Sequence, residues 1–125
     1  IMWFFLLFNR NRIGDDMKKI NIIKKTQDFE YIMHNGRLLK NNYYIIYTAP
    51  KMSEYYRFGL SVGKKISNRA VVRNKLKRML KSIIDNNKNI YQKDRDYIII
   101  MKRSCLEASY QELENSFIDI IKKIR

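Results

Sequence analysis

The sequence predicts an α+β fold, or an α/β arrangement around one small mixed sheet, on three observations. Segments with helical and strand rhythm alternate along the chain in the order α-β-β-α-β-α. A length of 125 residues suits a single domain. Hydrophobic residues make up 46%, enough for a packed core, and one proline with four glycines argues against a linker-rich chain.

Each element follows from its own residues. Thr26 is expected to cap a helix over about 27–35, with Phe29, Ile32 and Met33 on one face and Asn35-Gly36 as its stop. A further short strand fits near 37–40. Residues 43–48 (YYIIYT) are aromatic and β-branched and predict a strand, with Tyr43, Ile45 and Tyr47 on one face and Tyr44 and Ile46 on the other. Pro50 and Ser53 mark a loop. Residues 57–62 alternate, so Phe58, Leu60 and Val62 face a core and Arg57, Gly59 and Ser61 an open side. Ser67 or Asn68 is expected to cap a helix of about 69–84, whose inner face is Val72, Leu76, Met79, Leu80 and Ile83. Residues 86–96 read as a polar loop and 97–101 (YIIIM) as a short buried strand. Ser109-x-x-Glu112 is a capping box opening a last helix, with Tyr110, Leu113, Phe117, Ile120, Ile121 and Ile124 on one face. No internal repeat is visible.

The opening IMWFFLLFNRNRIGDD stands apart. Its apolar run, residues 1–8, is too short for a membrane helix, which needs ~20 residues. Arg10 and Arg12 follow the run, whereas a secretory signal places its charges first. Residues 1–16 are therefore expected to be a non-native or upstream extension, and Met17-Lys18-Lys19 to begin a single domain over 17–125. The alternative is a short membrane or partner anchor.

Charge is concentrated. The formal net charge is +14, and residues 57–84 carry nine basic residues and no acid. Residues 1–16 sum to zero, 17–56 to +4 and 85–125 to +1. Such a field favours nucleic acid or an anionic membrane. Arg69, Arg73, Lys77 and Lys81 recur every four residues on a face of their own. Like charges at that spacing weaken a helix by about 0.2–0.5 kcal/mol per pair, a cost that an anionic partner would offset.

Catalytic constellations are missing. Gly59 to Lys65 superficially resembles a phosphate-binding loop, but it has three residues between its glycines instead of four, and Lys65 stands where the magnesium-holding hydroxyl belongs. Arg57-Phe58-Gly59 is only a fragment of an RNA-recognition signature, with its order changed. One histidine, His34, and one cysteine, Cys105, cannot assemble a zinc site or a Ser-His-Asp triad. His34 reads as a helix-end residue and Cys105 as filler at a strand end, in keeping with a reducing cytoplasm. Asp94 and Asp96 could touch a metal, although two carboxylates in a polar loop usually face solvent. Nine tyrosines and six phenylalanines leave some aromatics for stacking on unpaired bases, at ~1–3 kcal/mol per base.

The run GLSVGKKISNRAVVRNKLKR, residues 59–78, closely resembles the signature of the bacterial ribonuclease P protein family. The lysine-rich start with Lys24-Lys25-Thr26-Gln27-Asp28-Phe29 and Gly36, the strand ending Tyr47-Thr48, and Asp96-Tyr97-Ile98-Ile99-Ile100 before a final amphipathic helix agree in order, over 17–125. The resemblance implies an α-β-β-β-α-β-α fold with a small mixed sheet and a left-handed β-α-β crossover. It implies a subunit that binds the catalytic RNA of ribonuclease P and the 5′ leader of precursor tRNA. It implies that the RNA would perform the hydrolysis with Mg2+, with no catalytic protein residue and no cofactor of the protein's own.

By the same resemblance Arg73, Asn74, Lys77 and Arg78 form the presented edge of the signature helix, with Lys64 and Lys65 as its approach turn. Arg69, Lys75 and Lys81 complete the expected RNA-binding set. Phe29, Met33 and Tyr47 match the leader cleft. Lys75 stands where arginine is frequent in the family, exchanging a bidentate contact for a point charge, and Met33 stands where an aromatic is common. Expected partners are the catalytic RNA and precursor tRNA, with a monomeric cytoplasmic protein and no membrane. A non-enzymatic, ribosome-associated RNA-binding protein is the alternative; a cationic membrane-surface protein is a third reading.

Overall fold

The computed structural model describes residues 22–23, 25–50, 56–91 and 94–124; the boundary expected at Met17 lies outside them. In chain order the elements are α1 (Thr26–Asn35), β1 (Arg37–Lys40), β2 (Tyr44–Pro50), β3 (Arg57–Ser61), α2 (Ala70–Asn86), β4 (Arg95–Met101) and α3 (Tyr110–Lys122). Short 3-10 turns at Lys88–Ile90 and Arg103–Glu107 flank β4. The four strands form one mixed sheet in the order β1-β2-β4-β3. β1 with β2 and β2 with β4 are antiparallel, whereas β3 and β4 are parallel and joined through α2. Among the described residues no helix is long and apolar enough to cross a membrane.

Strand alternation divides the side chains between two cores. Tyr44 and Ile46, Phe58 and Leu60, and Tyr97 and Ile99 face α2 and α3, where they meet Leu76, Leu80, Leu113 and Phe117. Ala49 and Ile98 face the other way, under Phe29 and Ile32 of α1. The main core is aromatic: Phe58 stacks on Tyr97 with centroids 5.1 Å apart and takes the edge of Tyr91 at 4.8 Å. Buried hydroxyls find acceptors, Tyr44 donating to the Leu113 carbonyl at 2.9 Å and Tyr91 to that of Ile84 at 2.8 Å.

Several boundaries differ from the expected ones for local reasons. Thr26 is the first residue of α1, and Lys25 precedes it without a side-chain cap. α2 likewise starts behind Arg69 with no side-chain cap; the Ser67 hydroxyl accepts the Arg69 N–H at 3.1 Å instead. Pro50 closes β2 opposite Arg95, a strand end being where a missing N–H is tolerated. Gly36 ends α1 against the neighbouring strand, where a β-carbon would stand 2.8 Å from the Thr48 carbonyl oxygen. The expected capping box is formed: the Glu112 N–H donates to Ser109 Oγ at 3.1 Å and the Ser109 N–H to Glu112 Oε1 at 2.9 Å. These bonds hold the Glu112 carboxyl below the ordinary carboxylate range. Cys105 is buried in the turn after β4, its thiol 3.2 Å from the Tyr43 carbonyl, and burial pushes its pKa up to about 11.

Candidate RNA interface

The connection from β3 to α2 is held by its apolar residues and presents its basic ones. Val62 and Ile66 are buried, and the Ile66 N–H closes a turn on the Gly63 carbonyl at 3.0 Å. That turn leaves Lys64 and Lys65 exposed. Beyond it Arg69, Lys75 and Arg78 are exposed and Asn74 is half-buried. Arg73, Lys77 and Lys81, expected among the presented cations, are instead buried, with 7%, 3% and 5% of their surfaces exposed. The reason is helical geometry. A four-residue step advances only about 40° around the axis, so these three hug the Leu76–Leu80–Ile84 stripe, while Lys75 and Arg78 lie across the helix from it.

The buried cations are not equivalent. Arg73 Nη1 donates to the Ser67 carbonyl at 2.8 Å, tying the first turn of α2 back to the approach turn. The Lys77 ammonium has no hydrogen-bond partner among the described residues. Burial, and then the charges of Lys81 and Arg73, bring its pKa down to about 8.

On the opposite face of the sheet α1 packs over Ala49 and Ile98, and beside it runs a half-buried apolar strip, termed the trough. Met33 and Tyr47 are half-buried along the trough together with Ile100, over the cluster of Ile23, Phe29, Ile32, Ala49 and Ile98. Strand register places Leu38, Tyr47, Ile98 and Gly59 in one row and Lys40, Ile45, Ile100 and Ser61 in the next. Leu38 (half exposed) and Lys40 form the outer rim. Phe29 does not offer a stacking surface: it is 2% exposed, and its ring lies on Gly59. Gly59, expected on an open side of β3, is buried beneath it, and Ser61 is buried as well. Ile100 was not singled out from the sequence, although the alternation Asp96, Ile98, Ile100 puts it on this face.

Behind the trough lies an ion triad. Arg57 Nε and Nη2 grip the two oxygens of Asp96 at 2.9 and 2.7 Å, and Nη1 reaches Asp28 of α1 at 3.2 Å. Asp96, a candidate metal contact by sequence, is occupied by Arg57, and Asp94 is exposed. Among the described residues no three metal-ligating side chains converge. His34 is exposed in the last turn of α1.

A cluster of exposed cations on a turn and the helix that follows suits the grip of a nucleic-acid backbone, and with the fold it defines a basic, nucleic-acid-binding class of α+β protein. The ribonuclease P family model matches residues 17–125. The ribonuclease P protein components of Bacillus cereus (strain 03BB102) and Bacillus mycoides (strain KBAB4) are 38% and 39% identical over 108 residues, covering 86% of this chain and 93% of each relative. The Staphylococcus aureus RNase P protein structure superposes with a TM-score of 0.77 at 28% identity, covering 84% of this chain and 95% of that one. The Thermotoga maritima RNase P protein gives 0.74 at 27%, covering 79% and 93%. The chain belongs to the ribonuclease P protein component family, the protein part of a tRNA-processing endoribonuclease holoenzyme.

Proposed function

We infer that this protein binds the catalytic RNA of ribonuclease P through Lys64, Lys65, Arg69, Lys75 and Arg78, with Asn74 at their edge. The buried Arg73, Lys77 and Lys81 add field behind them. The trough of Met33, Tyr47 and Ile100 holds the 5′ leader of precursor tRNA, with Phe29 as its floor. Hydrolysis is carried by the RNA, which uses Mg2+, and the protein contributes substrate affinity as a monomeric cytoplasmic subunit.

The observation that carries this reading is the segregation of the two surfaces. Exposed cations gather where β3 runs into α2, and the apolar trough lies on the sheet face away from α2 and α3. A backbone-gripping surface and a base-accepting surface on one small domain suit a protein that bridges an RNA and the single-stranded end of its substrate. The test is processing of precursor tRNA by the cognate RNA at low magnesium. Added protein is expected to restore leader removal; no restoration would end the reading.

A further inference from the structure

The structure assigns to Asp28 a positioning role: through Arg57 and Asp96 it fixes where α1 stands over the sheet, and so sets the shape of the leader trough. This rests on the leader reading above. The side chains that bed the middle of α1 on the sheet, Phe29 and Ile32 against Ala49 and Ile98, are apolar. Apolar burial has no direction and tolerates small slides of a helix along its bed. The triad adds a directional polar contact to the seat of Phe29 on Gly59 and the Ile23–Phe58 backbone bond. Arg57 and Asp96 are register partners on the parallel strands β3 and β4, and their paired hydrogen bonds lock the guanidinium plane. The remaining nitrogen is aimed at Asp28 in the first turn of α1. Their side chains are 14% (Arg57) and 7% (Asp96) exposed, so the fork is shielded, whereas Asp28 at 35% is the reachable arm. Asp28 precedes Phe29, whose ring rests on Gly59, and Met33 stands on the trough side of the same helix. An axial shift of α1 would move Met33 against Tyr47 and Ile100 and change the opening.

Asp28→Asn removes the charge from the outer arm and leaves the shielded Arg57–Asp96 pair whole, so it separates positioning from folding. In the assembled holoenzyme, affinity for leader-bearing precursor tRNA is expected to fall roughly two- to fivefold, the range of a partly exposed pair. Affinity for mature tRNA stays unchanged, and Asp28→Glu restores the difference between the two substrates. Tyr47→Ala is measured in parallel as the direct test of the trough. Loss with Tyr47→Ala but none with Asp28→Asn overturns the positioning role and leaves the leader reading standing. No loss with either overturns both. Equal loss on both substrates with Asp28→Asn also overturns the proposal, since it marks a purely structural ion pair.

Discussion

The ring of Phe29 sits directly over the α-carbon of Gly59, where an added β-carbon would stand 2.5 Å from Cζ. Glycine is therefore required at this point of β3 by α1. Gly59→Ala is expected to cost about 1–3 kcal/mol by overpacking, and Phe29→Ala about 3–5 kcal/mol by cavity formation. The double variant should cost less than the sum, because the new methyl enters the vacated space. Urea unfolding of the four proteins measures this coupling, and strict additivity would show that the two residues do not press on each other.

Exposed and buried cations should separate in RNA-binding assays. Substituting Arg69, Lys75 or Arg78 by alanine is expected to leave stability within about 0.5 kcal/mol. Each lost phosphate contact should lower the slope of log affinity against log salt by ~0.7–0.9. Titration with the cognate RNA at several salt concentrations reads the slope directly, and an unchanged slope removes that side chain from the interface.

Lys77 should behave in the opposite way. Its amine discharges at about pH 8 in the folded chain, against an ordinary value of 10.5. Over that window the folded state binds fewer protons than the unfolded one, so stability rises with pH from about 8 to 10.5. Lys77→Met is expected to stabilise the free protein at pH 7 by about 1–3 kcal/mol, through removal of an unsatisfied buried donor. The advantage should shrink towards pH 10. Denaturant melts at pH 7 and 9.5 check this, and a constant difference would show that the amine is not desolvated.

The trough predicts selective damage. Tyr47→Ala and Met33→Ala are expected to weaken leader-bearing substrate more than mature tRNA, with Tyr47 the larger because only an aromatic gains ~1–3 kcal/mol from stacking on a base. Fluorescence binding with both substrates separates this from a general loss of fold.

The order of elements was legible because hydrophobic rhythm is local: the short β1 and the Ser109–Glu112 box both stand where the pattern put them. Side-chain fate was less legible where it depends on distant packing. Phe29 carries the same signal whether it lines a cleft or fills a core, and Gly59, thirty residues on, decides between them. The Arg57–Asp96 grip depends on how β3 registers on β4, which no local pattern encodes. The burial of Lys77 follows from its angle to Leu76 and Leu80, a signal in the spacing that its charge masks.

The last strand in sequence is the one that holds the sheet together, β4 pairing with β2 on one side and β3 on the other. During synthesis the β1–β2 hairpin can zip as it emerges, while β3 has to wait for α2 and then β4 before its parallel partner exists. Until then Arg57 lacks Asp96, and α1 lacks the Ile98 row it rests on. β4 thus completes two things at once, the seat of the β3–α2 connection and the bed under α1.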